Sequence, residues 1–263
     1  MKLFFREYGQ GQPLIILHGI FGISDNWVSF ARRIEESFRV LIPDQRNHGQ
    51  SPHDPTFNYY ALCADLHEFI DEHGLENPII LGHSMGGKVA MRFALENPEM
   101  LKALIIADIS MRTYQRRFRH LNMIDAMMAV NFENAETRED IEKQLEPKIK
   151  ETRIRQFAMK NLYRRERSGQ FAWRLNLEAI NLNMDEVFEG INSKELFQKP
   201  TLFIRGGASD YVKYEDYDQI YRNFPKADIK TIEGAGHWLH AEKPNDFHKI
   251  FTDFILMNEL LDE

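Results

Sequence analysis

The chain has 263 residues, of which 43% are hydrophobic and 28% are charged, as in an ordinary soluble globular protein with a sizeable core. Its formal net charge of −7 argues against general nucleic-acid binding, because phosphates attract basic surfaces. The single cysteine, Cys63, excludes an intramolecular disulfide.

Apolar runs alternate with amphipathic runs along most of the chain. Strands are predicted at 13–19, 39–44, 78–82, 101–108, 200–206 and 227–234. Helices are predicted at 24–38, 59–74, 85–95 and 244–261. Because helices alternate with the strands, the predicted fold class is α/β, with a mostly parallel central sheet covered by helices on both faces.

Residues 111–195 interrupt this alternation and are predicted to form three or four amphipathic helices without a buried strand. We interpret them as a helical cap inserted into a core made of residues 1–110 and 196–263. Between 111 and 170 the cap has 14 Lys and Arg residues against 9 Asp and Glu residues, a local net charge of +5. This charge indicates either a solvated helical surface or a surface that attracts anionic substrates.

Residues 82–86 read Gly-His-Ser-Met-Gly and lie between a predicted strand and a predicted helix. This is the G-x-S-x-G pattern of a nucleophile elbow, in which a tight turn lifts the serine hydroxyl above the ends of the strands. Ser84 is therefore the candidate nucleophile. The backbone N–H of Met85, at the start of the helix, is a candidate donor to a developing oxyanion.

A serine hydroxyl needs a general base to remove its proton. Of the ten histidines, His237 is the best candidate, because it lies in the loop between the last strand and the last helix, on the carboxyl side of the sheet. His48 and His83 are predicted to be structural, with hydrogen bonds near the elbow.

The base in turn needs a carboxylate, and two aspartates are candidates. Asp108 ends the strand that follows the nucleophile helix, whereas Asp210 follows the strand after the cap, where the acid of such sheets usually lies. Counting forward from Pro200 places that usual position on Ser209, and counting back from Val212 places it on Asp210. The residues alone leave both aspartates open.

A second oxyanion donor is expected where the first long strand ends. That strand runs into the glycine-containing segment His18-Gly19-Ile20-Phe21-Gly22. The backbone N–H of Ile20, or that of Phe21, would join the N–H of Met85.

Several segments together resemble the α/β-hydrolase superfamily and, more narrowly, esterases of the YbfF type with their eukaryotic relatives. The segments are LHGIFGISDNW (17–27), DQRNHGQSPH (44–53), GHSMGGKVAM (82–91), ADIS (107–110) and GAGHWLHAEKP (234–244). The resemblance covers nearly the whole chain and implies an α/β-hydrolase fold and a serine hydrolase that needs no cofactor or metal. It also implies an aspartate at the position of Asp108 and an accessory serine at that of Ser209, and so favours Asp108 over Asp210.

The expected enzyme is a carboxylesterase in which Ser84 attacks the carbonyl carbon, His237 transfers the proton, and Asp108 or Asp210 orients the imidazole. The substrates implied by the resemblance are short- to medium-chain acyl esters, with acyl-CoA thioesters as a second class. The alternative is a carbon–carbon bond lyase or hydrolase of the same fold, of the menaquinone-pathway type. A non-catalytic binding protein is disfavoured, because such proteins typically lose the serine or the histidine.

Residues 1–13 lack the apolar core of a signal peptide, and no run in the sequence is long enough to cross a membrane. We therefore expect a cytoplasmic protein whose partner is a small acyl substrate rather than a membrane or a nucleic acid.

Overall fold

The computed structural model describes residues 1–115 and 118–261. Seven of the strands in this part of the chain form one sheet, in the order β1-β3-β2-β4-β5-β8-β9. The strands are β1 (Phe5–Tyr8), β2 (Gln12–Leu17), β3 (Phe38–Pro43), β4 (Ile79–His83), β5 (Ala103–Ala107), β6 (Leu162–Arg164), β7 (Phe171–Trp173), β8 (Thr201–Gly206) and β9 (Ala227–Ile232). All six predicted strands are present, and they run parallel to one another.

The first strand, β1, was not predicted and pairs antiparallel with β3 at one edge of the sheet. The central strands are continuous apolar runs because both faces of the sheet are covered. Side chains alternate between two hydrophobic clusters: Ile80 lies in one, and Leu81, the next residue, lies in the other. The predicted mostly parallel α/β sheet is therefore confirmed.

Helices cover both faces of the sheet. They are α1 (Val28–Ile34), α2 (Tyr59–Glu72), α3 (Met85–Glu96), α4 (Phe118–Met128), α5 (Arg138–Leu145), α6 (Thr152–Met159), α7 (Leu177–Leu182), α8 (Met184–Phe188), α9 (Tyr217–Asn223), α10 (Leu239–Glu242) and α11 (Pro244–Met257). Phe69 of α2 and Phe93 of α3 belong to the cluster on one face, whereas Phe30 of α1 and Phe251 of α11 belong to the cluster on the other. None of the described helices is long and apolar enough to span a membrane.

The cap differs from its prediction. Its described residues form five helices, α4 to α8, and the antiparallel pair of strands β6 and β7. The expectation of three or four helices without a buried strand was wrong. The strands were missed because two strands of three residues each are too short to show a periodicity of two. Ile124 of α4 and Met184 of α8 lie in the same hydrophobic cluster as Ile80 of the sheet. The apolar side chains of the cap are thus continuous with the hydrophobic cluster on one face of the sheet.

Candidate active site

Ser84 lies in a strained turn between β4 and α3. Its φ of 53° and ψ of −120° are rare for a residue with a side chain. A Cβ atom on Gly82 would lie 2.4 Å from the carbonyl oxygen of Gly86, and one on Gly86 would lie 2.3 Å from that of Leu17. Glycine is therefore required on both sides of Ser84, which explains the G-x-S-x-G spacing.

The imidazole of His237 lies between Ser84 and Asp108. Its Nδ1 atom is 2.8 Å from Oδ2 of Asp108, and its Nε2 atom is 3.0 Å from Oγ of Ser84. Because a carboxylate only accepts hydrogen bonds, Nδ1 carries the hydrogen and Nε2 is left to accept from the serine hydroxyl. This is the tautomer that a general base for Ser84 needs.

Asp108 is completely buried, and donors surround its carboxylate. Oδ1 accepts from the backbone N–H of Gly206 at 2.9 Å, and Oδ2 accepts from the hydroxyl of Ser209 as well as from His237. These bonds replace the water that a buried carboxylate loses.

The structure thus distinguishes the two candidate acids by position. Asp108 contacts His237, whereas Asp210 is exposed in the loop after β8, and its carbonyl oxygen accepts from Arg112 at 2.8 Å. The next residue, Tyr211, stacks on the imidazole of His237, with 3.8 Å between the ring centroids and 15° between the planes. The loop after β8 therefore supports the imidazole through Tyr211.

Met85 directly follows Ser84 in the chain, and the turn that carries Ile20 and Phe21 begins at Gly19, close to Ser84. The N–H of Phe21 donates to Nε2 of His48 at 3.2 Å, so of the two candidates in that turn only Ile20 has its N–H unused. Within residues 1–115 and 118–261, neither Ile20 nor Met85 has an acceptor for its backbone N–H. A Cβ atom on Gly19 would lie 3.0 Å from Cβ of Ser84, so this turn passes directly against the serine.

Buried neutral histidines hold this region together. Burial lowers the pKa of His18 to about 4 and that of His48 to about 3, so both rings are neutral at pH 7. His18 Nδ1 donates to the carbonyl of Gly19 at 2.9 Å, and its Nε2 accepts from the N–H of Gln45 at 3.0 Å. His48 donates in the same way to Arg46 at 2.9 Å.

His83 bonds to the neighbouring loop. Its Nε2 donates to the carbonyl oxygen of His237 at 2.8 Å, as a structural role near the elbow requires. Burial lowers the pKa of His83 well below its usual range. Sequence reasoning anticipated this kind of role for His48 and His83 but missed His18, although it precedes Gly19 in the oxyanion segment.

Among the described residues, no group of His, Cys, Asp and Glu side chains could hold a metal ion.

The sequence model of the family described as "alpha/beta hydrolase fold" matches residues 12–244. The chain belongs to this α/β-hydrolase family. The hydrolase is 39% identical over 248 residues to the sn-1-specific diacylglycerol lipase ABHD11 of Mus musculus, a match that covers 92% of this chain and 80% of that protein. It is 34% identical over 233 residues to esterase YbfF of Escherichia coli (strain K12), with 89% of each chain covered.

A solved structure titled "Marine microorganism esterase" superposes on this hydrolase with a TM-score of 0.93. The two chains are 41% identical, and the match covers 96% of this chain and 99% of that one. These relatives confirm the resemblance to YbfF-type esterases. The protein is therefore an esterase- or lipase-type hydrolase that acts on carboxylic esters.

Proposed function

We propose that this hydrolase cleaves acyl esters in two steps through a triad of Ser84, His237 and Asp108. The observation that carries the proposal is the position of His237, which is 3.0 Å from the serine hydroxyl and 2.8 Å from the buried carboxylate. A serine hydroxyl is a weak nucleophile until a base accepts its proton. An imidazole held in one tautomer by a carboxylate is such a base.

In the first step, Oγ of Ser84 bonds to the ester carbonyl carbon while its proton passes to Nε2 of His237. Asp108 stabilises the imidazolium that forms. The carbonyl oxygen becomes an oxyanion, which accepts hydrogen bonds from the N–H groups of Ile20 and Met85. When the carbon–oxygen bond to the alcohol breaks, His237 returns the proton to the alcohol and an acyl-enzyme remains.

In the second step, water attacks the acyl carbon and gives a proton to His237. The ester bond to Ser84 then breaks, His237 returns the proton to Oγ of Ser84, and the carboxylic acid leaves. The same sequence of bonds applies to a thioester, with a thiol as the leaving group. Short- to medium-chain esters are the proposed first class of substrate and acyl-CoA thioesters the second.

The experiment that tests this proposal is an activity panel of p-nitrophenyl esters of increasing chain length, run beside acyl-CoA thioesters. Wild-type protein should hydrolyse the shorter esters, and Ser84→Ala should lose about 10³-fold or more of kcat, as in other triads. Circular dichroism checks that the variant is folded. Turnover of none of these substrates, or normal turnover by Ser84→Ala, would contradict the proposal; the first result would favour the carbon–carbon alternative.

A further inference from the structure

Phe21 has an unusual backbone conformation in the turn that contains the candidate oxyanion donor, the N–H of Ile20. The turn runs from Gly19 to Gly22 and is closed by the N–H of Gly22, which donates to the carbonyl of Gly19 at 2.9 Å. Phe21 is its third residue and has a φ of 62°, in a region that normally requires glycine or asparagine. Such a conformation persists only when surrounding contacts hold it.

Two side chains from distant parts of the sequence hold the backbone of Phe21. On one side, its N–H donates to Nε2 of His48 at 3.2 Å. On the other side, its carbonyl oxygen accepts from Nδ2 of Asn161 at 2.9 Å. His48 belongs to the core, whereas Asn161 belongs to the cap, between α6 and β6. The peptide groups before and after Phe21 are therefore fixed by different parts of the fold.

Asn161 is well placed for this role. Its side chain is completely buried, and its backbone is bonded within the cap, to Ala158 at 3.0 Å and to Arg174 at 2.9 Å. Its Oδ1 atom is buried without a hydrogen-bond partner in the described part of the chain. Leaving a polar atom buried in this way is unfavourable, so an apolar residue would be the better choice for packing alone. What the amide adds is the bond to Phe21.

We propose that Asn161 is a positioning residue through which the cap holds the oxyanion turn. This inference rests on the proposed function. Fixing the carbonyl of Phe21 holds the left-handed conformation of that residue, and through the turn closed between Gly19 and Gly22 it keeps the N–H of Ile20 in place. A neutral ester carbonyl gains little from that N–H, whereas the tetrahedral oxyanion gains much, so the effect falls on the chemical step rather than on substrate binding.

The test compares wild type with Asn161→Ala and Asn161→Leu, using p-nitrophenyl butyrate. Loss of an entire oxyanion donor costs about 10²–10³-fold in kcat elsewhere, and a displaced donor should cost less. We expect kcat to fall by about 10- to 100-fold while KM stays within about threefold. Inhibition by an alkyl boronic acid, which forms a tetrahedral anion on Ser84, should weaken by a similar factor.

Asn176 provides the matched control. It is also a cap asparagine bonded to the core, since its Nδ2 donates to Oδ1 of Asn47 at 3.0 Å. Its Oδ1 accepts from the N–H of Ala179, so the hydrogen bonds of its side chain do not involve Phe21. Asn176→Ala should keep kcat within about threefold of wild type. Equal losses of kcat in Asn161→Ala and Asn176→Ala would overturn the inference, because general seating of the cap would then be the cause.

Further outcomes separate this inference from the proposed function. A folded Asn161→Ala with wild-type kcat and wild-type boronate inhibition would overturn the role of Asn161 alone. A Ser84→Ala variant with normal turnover would overturn both. If neither Asn161→Ala nor Asn161→Leu folds, Asn161→Ser, which keeps a hydroxyl but is too short to reach Phe21, carries the same expectation for kcat, KM and boronate inhibition.

Discussion

The hydroxyl of Ser209 donates to Oδ2 of Asp108, the same oxygen that accepts the bond from His237. The two residues follow neighbouring strands, since Asp108 directly follows β5 and Ser209 follows β8, with which β5 pairs in parallel. The carboxylate thus comes from one strand, and the loop after the next strand supplies a hydroxyl that holds it. Because Asp108 provides the carboxylate from the neighbouring strand, the position after β8 where the acid of such sheets usually lies can hold a serine, Ser209.

Exchanging each aspartate for asparagine distinguishes the two candidate acids. Asp108→Asn should lose about 10⁴-fold in kcat, because the amide favours the wrong imidazole tautomer. Asp210→Asn should lose less than about tenfold, because its exposed charge acts only from a distance. The measurement is kcat of each variant, and of wild type, for p-nitrophenyl acetate. The reverse ranking would assign the acid to Asp210, and comparable losses would mean that each aspartate partly replaces the other.

Ser209→Ala should lower kcat by about tenfold without unfolding the protein. The variant removes one hydrogen bond to a buried carboxylate, a bond of about 1.5–3 kcal/mol, while Gly206 and His237 still contact Asp108. The measurement is kcat beside the melting temperature. A loss as large as that of Asp108→Asn would show that Ser209 is more than an accessory residue.

The parts of the fold that could be predicted from sequence are those with a long local pattern. Five of the six parallel strands, all except the edge strand β9, are almost entirely buried and read as apolar runs, so local sequence indicates them. By contrast, Phe5–Tyr8 is a four-residue edge strand with mostly half-buried side chains, and it has neither a continuous apolar run nor a clean alternation. The paired strands in the cap were missed for a related reason, since three residues cannot establish a period.

The residues of the candidate site also differ in how clearly the local sequence indicates them. Ser84 and His237 each lie beside glycines in a short segment between a strand and a helix, so local sequence indicates them. The choice between Asp108 and Asp210 depends on which loop reaches the imidazole, and a one-residue slip in counting changes the answer. Asn161 has no local signal at all, because its contact with Phe21 exists only when the cap is packed on the core.

A buried lysine predicts a pH dependence of stability. Lys88 of α3 donates to the carbonyls of Phe188 and Glu189, where the cap chain leaves α8, and it lies 4.9 Å from the ring centre of Tyr114. Burial, with the nearby charge of Arg112, lowers the pKa of Lys88 from 10.5 to about 7. Between these values the unfolded chain binds more protons than the folded protein, so this group makes the unfolding free energy rise with pH.

Lys88→Met removes that contribution. Urea unfolding at about pH 7 and about pH 9.5 should show the stability of wild type rising relative to that of the variant over this interval. Parallel pH profiles for the two proteins would mean that Lys88 keeps an ordinary pKa in the folded state.

The basic cap predicts how the two classes of substrate respond to salt. Arg153 of the cap is half-exposed and forms an ion pair with Glu242. Its guanidinium carbon lies 5.4 Å from the ring centre of Trp238, the residue after His237. If the positive charge of residues 111–170 recruits acyl-CoA, kcat/KM for the thioester should fall steeply with salt, since exposed charges are screened over about 10 Å at 0.1 M. A neutral p-nitrophenyl ester should respond far less. If kcat/KM for the thioester and for the neutral ester depend equally on salt, the basic residues of the cap form only a solvated surface.

The central claim is that Ser84 is a nucleophile activated by His237, and labelling with a fluorophosphonate tests it most directly. In this reaction Oγ of Ser84 displaces fluoride from phosphorus, and mass spectrometry of the digested protein locates the phosphonyl group. The expected result is one phosphonyl group, on the peptide that contains Ser84, added orders of magnitude more slowly in folded His237→Ala. Labelling at another residue, no labelling of folded wild type, or an unchanged rate in His237→Ala would contradict the claim.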